Sequence, residues 1–125
     1  MTTTKGHSIL VVDDSVVVVE AVSDALLKDG FDVMTAGDGL EALDVIKRNP
    51  FDLILLDIDM PRMNGYQLCK LLKRDDSFRA IPVVMLTAKS SDTDRMWGLK
   101  AGADEYLTKP FNYAKVKEVI KRFLL

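Results

Sequence analysis

Three short apolar runs dominate the hydrophobic pattern, and each stops at a polar residue. Residues 9–12 stop at Asp13 and Asp14, residues 53–56 at Asp57, and residues 83–86 at Thr87. Runs this short, apolar at every position, predict strands buried on both faces of a parallel sheet. Two weaker strands are predicted over residues 31–36 and 104–107. Helical patterns separate all five. Residues 15–28 form the first, with Asp14 or Ser15 as cap, Val18, Val22, Ala25 and Leu26 as the inward stripe, and Asp29-Gly30 as the stop. Val16 to Val19 are β-branched and of modest helix propensity, yet the stripe assigns them to the helix. Asp38 and Glu41 form a capping pair ahead of Leu40, Leu43 and Ile46. Residues 65–74 place Leu68, Leu71 and Leu72 on one side. Ser91 or Asp92 caps a helix carrying Met96 and Leu99 that ends near Gly102. Asn112 caps the last helix, with Val116, Val119, Ile120 and Phe123 facing inward.

Strand and helix thus alternate five times, which predicts an α/β fold with a parallel sheet covered on both faces. The 125 residues suit one domain with a sizeable core. A net charge of −2 gives no basic excess, so no direct nucleic-acid contact and no anionic membrane surface is expected. No apolar run reaches the roughly 18 residues of a membrane helix, so no membrane insertion is expected. Residues 1–7 are polar, without a signal-peptide stretch, and are expected to be a disordered tail. With a single cysteine, Cys69, no internal disulfide forms, and the cytoplasm is the expected compartment.

Ligands of open α/β sheets bind beyond the carboxyl ends of the strands. Those ends carry Asp13, Asp14, Asp57, Thr87 and, two residues past the fifth strand, Lys109. If strands one and three are neighbours, three carboxylates converge, an arrangement that calls for a cation. All-oxygen ligands suit Mg²⁺, or Mn²⁺ in its place. A carboxylate beside Mg²⁺ is chemistry for forming an acyl phosphate, with Lys109 and the Thr87 hydroxyl placed to hold phosphoryl oxygens. Singly, each residue reads more readily as a solvated loop carboxylate, a helix cap or a surface lysine. Each ending a different apolar strand, they read together as a site.

With these residues in place, the chain resembles the receiver domains of two-component response regulators, in particular single-domain chemotaxis and twitching-motility regulators. The matching pieces are VVDDS (11–15), DIDMPRMNG (57–65), VVMLTAK (83–89) and GADEYLTKPF (102–111). The resemblance implies a flavodoxin-like, doubly wound (βα)₅ fold with strand order 2-1-3-4-5 over residues 8–125; that order belongs to the family and is not read from the pattern. It also implies that Asp57 is the phospho-acceptor, that Asp14 binds Mg²⁺ directly and Asp13 largely through water, and that the Asp59 backbone carbonyl is a further ligand. Thr87 and Tyr106 would form the switch, Lys109 would ion-pair with the phosphoryl group, and Lys109-Pro110 would be a cis peptide. The donor would be a sensor histidine kinase or phosphotransfer protein. The phosphorylated chain would signal through its fourth helix, fifth strand and fifth helix to a downstream protein target or to an output domain outside this sequence. Beyond self-phosphorylation and autodephosphorylation no enzymatic turnover is expected.

Other positions carry two readings. Asp59 and Lys89 either pair across the site mouth or are solvated separately. Val16 and Leu27, with Val17 and Val19 on the flanks, lie off the inward stripe and suit kinase docking. Trp97 is either a partner anchor or a half-buried packing residue. Cys69 reads as packing, and His7 is given no phosphoryl role. Asp57-Ile58-Asp59 also matches the D-x-D start of haloacid-dehalogenase-type phosphohydrolases, but here it follows the third strand and continues Met60-Pro61. An inactive receiver would lack some of the five site residues. A flavin-mononucleotide protein would need a phosphate-cradling loop where Asp13-Asp14 stands.

Overall fold

A computed structural model describes residues 6–125. Five strands alternate with five helices: β1 (Ser8–Val12), α1 (Val16–Lys28), β2 (Asp32–Ala36), α2 (Gly39–Arg48), β3 (Leu53–Leu56), α3 (Gly65–Arg74), β4 (Val83–Thr87), α4 (Asp92–Lys100), β5 (Glu105–Thr108) and α5 (Tyr113–Leu124). All pairings are parallel and the order is β2-β1-β3-β4-β5, as the family resemblance implied. Residues 1–5 of the expected tail lie outside the described residues. The His7 carbonyl accepts a hydrogen bond from the Asp32 amide at 2.9 Å.

The three apolar runs form the centre of the sheet, and their alternate side chains feed two cores. Leu10, Val12, Ile54, Leu56, Val83 and Met85 pack with Ala42 and Ile46 of α2 and Leu68, Cys69 and Leu72 of α3. Ile9, Val11, Leu53, Leu55, Val84 and Leu86 pack with Val22 and Leu26 of α1 and Val116, Val119 and Ile120 of α5. β2 and β5 are the two edge strands, and only Ala36 of β2 is buried. Phe31, expected to open that strand, lies before it and is buried.

The helix caps follow the sequence signals. Ser15 accepts from the Val18 amide at 3.4 Å, so the valine run does start a helix. Asp38 accepts from Glu41 at 2.8 Å, and Asn64 with Gln67 forms a capping box. Ser91 caps α4 and Asn112 caps α5. Asp104 stands just ahead of β5, where its carboxylate accepts from the Val83 amide at 2.8 Å and from Lys73 Nζ at 2.9 Å.

Five residues placed on helix stripes are exposed, among them Leu40 in the first turn of α2. Leu71 is exposed, because Leu68 and Leu72 carry the α3 face and Cys69 completes it. Phe123 is exposed, and Leu124 continues the row of Val116 and Ile120. In α4, Met96 and Leu99 are 44% and 50% exposed, and Gly98 is the buried residue. The reason is close approach. A Cβ on Gly98 would lie 2.7 Å from the Tyr106 ring and 3.0 Å from Met85 Sδ, so the helix meets the sheet through its glycine.

Candidate functional site

Register builds the site. Val12 pairs with Leu56, so Asp13 and Asp57 leave the sheet side by side. Leu56 pairs with Met85, and Thr87 pairs with Thr108, which places Thr87 at the same edge and Lys109 directly after β5. The Asp57 amide donates to the Val12 carbonyl at 2.9 Å, tying the two strand ends together. Gly65 permits the chain to return closely: a Cβ there would come within 2.9 Å of Ile58 Cα.

One carboxylate oxygen each from Asp13, Asp14 and Asp57 lies within 4.8 Å of the others. Asp13 and Asp57 are buried and Asp14 is exposed. Lys109 Nζ donates to Asp13 Oδ2 at 2.8 Å and lies 3.7 Å from Asp57 Oδ2. Its nearest partner is thus Asp13, and it bridges the two buried carboxylates. Asp13 Oδ1 accepts from the Ser15 amide at 2.9 Å, and Asp57 Oδ1 from the Ile58 amide at 2.8 Å. Burial, then the Asp13 charge, raises the Asp57 pKa above its ordinary value; Lys109, the Ile58 amide and the Thr87 hydroxyl act against that rise. The buried carboxylate pair and the third carboxylate at the rim are an all-oxygen donor set able to hold a hard divalent cation.

Thr87 is buried, and its hydroxyl accepts from the Lys89 amide at 3.2 Å. Tyr106 is buried and donates to the Lys89 carbonyl at 2.7 Å. It lies inside in this structure, and burial pushes its phenol well above the ordinary range. Arg95 closes over it, with the guanidinium 5.1 Å from the ring centroid and Nη1 donating to the Tyr106 carbonyl at 3.2 Å. The Asp59 carboxylate and Lys89 Nζ stand 3.6 Å apart, so the two charges do pair. The Lys109-Pro110 peptide is cis.

All five residues singled out in the sequence therefore meet at one edge. The reasoning from sequence missed Gly98 and Arg95 as the residues that hold α4 on Tyr106; an isolated glycine inside a helical pattern was the available signal. Val16 and Val17 are 69% and 77% exposed, and Leu27 is exposed as well. An apolar groove of about 290 Å³, lined by Val17, Val18, Ala21, Val22, Phe111 and Tyr113, lies beside them. Trp97 is half exposed, stacked by Lys100 at 5.7 Å. Cys69 is buried, and burial pushes its thiol up to about 11, as expected of a packing residue. Among the described residues no helix is long and apolar enough to cross a membrane.

Comparison with known proteins agrees with this geometry. The family model described as the response regulator receiver domain matches residues 9–121. The DNA-binding response regulator MtrA of Mycobacterium tuberculosis is 42% identical over 119 residues, covering 95% of this chain and 50% of that protein. The alkaline phosphatase synthesis transcriptional regulatory protein PhoP of Bacillus subtilis is 42% identical over 121 residues, covering 94% and 50%. The chain spans about half the length of these curated relatives. Among solved structures, the chemotaxis protein CheY4 of Vibrio cholerae is similar with a TM-score of 0.88 at 35% identity, covering 94% of this chain and 98% of that one. A putative response regulator from Chloroflexus aurantiacus gives 0.91 at 35% identity, covering 96% and 98%. Sheet order, the converging strand ends and the family match lead to one conclusion: the chain belongs to the response regulator receiver domains, whose general function is to accept a phosphoryl group on an aspartate.

Proposed function

We propose that Asp57 is the acceptor and that residues 8–125 form the phospho-acceptor domain. The observation that carries this is the cluster itself: three carboxylate oxygens within 4.8 Å, one on a buried strand-end aspartate, with Lys109 3.7 Å away. Asp13, Asp14, Asp57 and the Asp59 backbone carbonyl would hold Mg²⁺, with Mn²⁺ as substitute. When bound, the ion supplies positive charge to the transferring phosphoryl oxygens.

The chain's own residues do the rest. The Ile58 amide fixes Asp57 Oδ1, leaving Oδ2 toward Lys109. That oxygen attacks the phosphorus of a phosphohistidine; the P–N bond breaks and the P–O bond forms, with the imidazole leaving. Lys109, already between Asp13 and Asp57, shifts toward the new oxygens, and the Thr87 hydroxyl, whose oxygen accepts from the Lys89 amide, donates its proton to one of them. Because Tyr106 lies inside here, phosphorylation would change the population of this arrangement and not create it. Arg95 and Gly98 would carry that population to α4. Water later attacks the phosphorus and restores the carboxylate.

The donor would be a sensor histidine kinase or phosphotransfer protein in the cytoplasm, docked on Val16, Val17 and the adjoining groove. The output would be a separate protein or a further segment; the relatives named as DNA-binding make the second a natural reading. Acetyl phosphate with MgCl₂, read by intact mass, tests the acceptor: one phosphoryl group on the wild type and none on Asp57→Asn. Stoichiometric uptake by the variant would remove Asp57 from the role.

A further inference from the structure

Among the described residues, Arg62 is the one non-glycine with a positive φ, at 65°. An L-residue rarely stays in that region unless its surroundings hold it there. It sits in the loop between β3 and α3, three positions after Asp59, and its own side chain does the holding. Nε and Nη2 both donate to Asp38 Oδ2, at 3.1 and 2.8 Å. Asp38 is the N-cap of α2, and its other oxygen accepts from the Glu41 amide. The loop is fastened twice more. The Gly39 amide donates to the Met63 carbonyl at 3.1 Å, and the Gly65 amide to the Ile58 carbonyl at 2.9 Å. Gly39 allows the first of these, since a Cβ there would come within 2.7 Å of Met63 Cβ.

The segment carrying the Asp59 carbonyl is therefore a short span held at both ends, and Asp59 itself is exposed. We infer that the Arg62–Asp38 ion pair is a positioning device that fixes the direction of the Asp59 carbonyl and so sets Mg²⁺ affinity at the Asp57 site. The inference rests on the proposed Mg²⁺-dependent function. Arg62 and Asp38 are positioning residues; neither is among the three clustered carboxylates.

The test is Mg²⁺ titration of the full chain followed by amide NMR shifts, with thermal melting in EDTA alongside. Arg62→Ala and Asp38→Asn each weaken Mg²⁺ binding about fivefold, the upper end for a half-exposed pair, and the double variant is no weaker than either single one. Asn retains the cap, so Asp38→Asn folds. Arg62→Lys recovers part of the affinity. Arg62→Gly separates strain from position, because it relieves the positive φ and keeps or raises the melting temperature while Mg²⁺ binding stays weakened. Variants that melt lower but bind Mg²⁺ as the wild type does would overturn the latch, as would unweakened binding by Arg62→Gly. A wild type that binds no Mg²⁺ would overturn both the proposed function and the latch, whereas equal binding by wild type and variants overturns the latch alone.

Discussion

Asp57→Asn is expected to make the protein more stable at neutral pH when no divalent cation is present. The side chain is buried, and its oxygen lies within 4.8 Å of oxygens of Asp13 and Asp14. At an effective dielectric of about 20, each repulsion at 4.8 Å is about 3 kcal/mol, and the attraction of Lys109 at 3.7 Å is about 4 kcal/mol. Solvent screens the exposed Asp14, and Lys109 is shared with Asp13 at 2.8 Å. The charge contributions nearly cancel, and the desolvation of the buried carboxylate is left, about 1–2 kcal/mol. Asn retains an oxygen to accept the Ile58 amide, so the local hydrogen bond survives. The gain corresponds to about 3–8 °C in melting temperature. The pH dependence has a definite sign. The folded-state pKa of Asp57 is raised above its ordinary 3.8, so the penalty is absent below that value and complete once pH exceeds the folded value. The advantage of the variant is therefore full at neutral pH and vanishes in acid. Excess MgCl₂ acts in the opposite direction: a tenfold excess over the dissociation constant stabilises the wild type by about 1.4 kcal/mol and offsets the difference, and a hundredfold excess, worth about 2.7 kcal/mol, reverses it. Urea unfolding in EDTA and in MgCl₂, at both pH values, measures all of this. A variant less stable than the wild type in EDTA at neutral pH, or an advantage that persists unchanged in acid, would refute the reasoning.

Lys89→Ala removes the 3.6 Å pair with Asp59 and should shorten the phosphoryl lifetime about two- to fivefold, the reach of a half-exposed ion pair, as read by the decay of phosphoprotein mass; an unchanged lifetime would discard the pair as a barrier to water. Gly98→Ala, which would improve an ordinary helix, is expected to destabilise this one by about 1–3 kcal/mol in urea, because the new methyl meets the Tyr106 ring at 2.7 Å; a more stable variant would show that α4 is free to move away. Val17→Asp should slow phosphotransfer from a cognate kinase while melting temperature and acetyl phosphate uptake stay at wild-type values; equal transfer rates would move docking elsewhere.

Much of this was legible because β3 and β4 are buried on both faces, so position and burial coincide. Asp13, Asp57 and Thr87 could be placed at one edge from where the runs stop, and register turned that into distance. Lys109 was placed at the edge, but its contact with Asp13 was not, since a lysine's partner depends on three-dimensional neighbours. The helix α4 misled for a related reason. Periodicity finds the apolar side of a helix, whereas α4 is held by the residue that has no side chain and by an arginine over an aromatic ring. The Arg62–Asp38 pair spans 24 positions in sequence, and no spacing rule reaches that far.

The register of β1 against β3 limits how this protein can change length. Side chains alternate along a strand, so deleting one residue between Phe51 and Asp57 would turn every following side chain to the other face. The carboxylate would then enter one of the two cores, or the apolar run would have to break its pairing with residues 9–12. None of Leu53, Ile54, Leu55 or Leu56 is among the carboxylates of the cluster, yet their number is fixed as firmly as the identity of Asp57. Insertions in the exposed residues 74–77, at the end of α3 and before β4, carry no such penalty, and length variation should collect there.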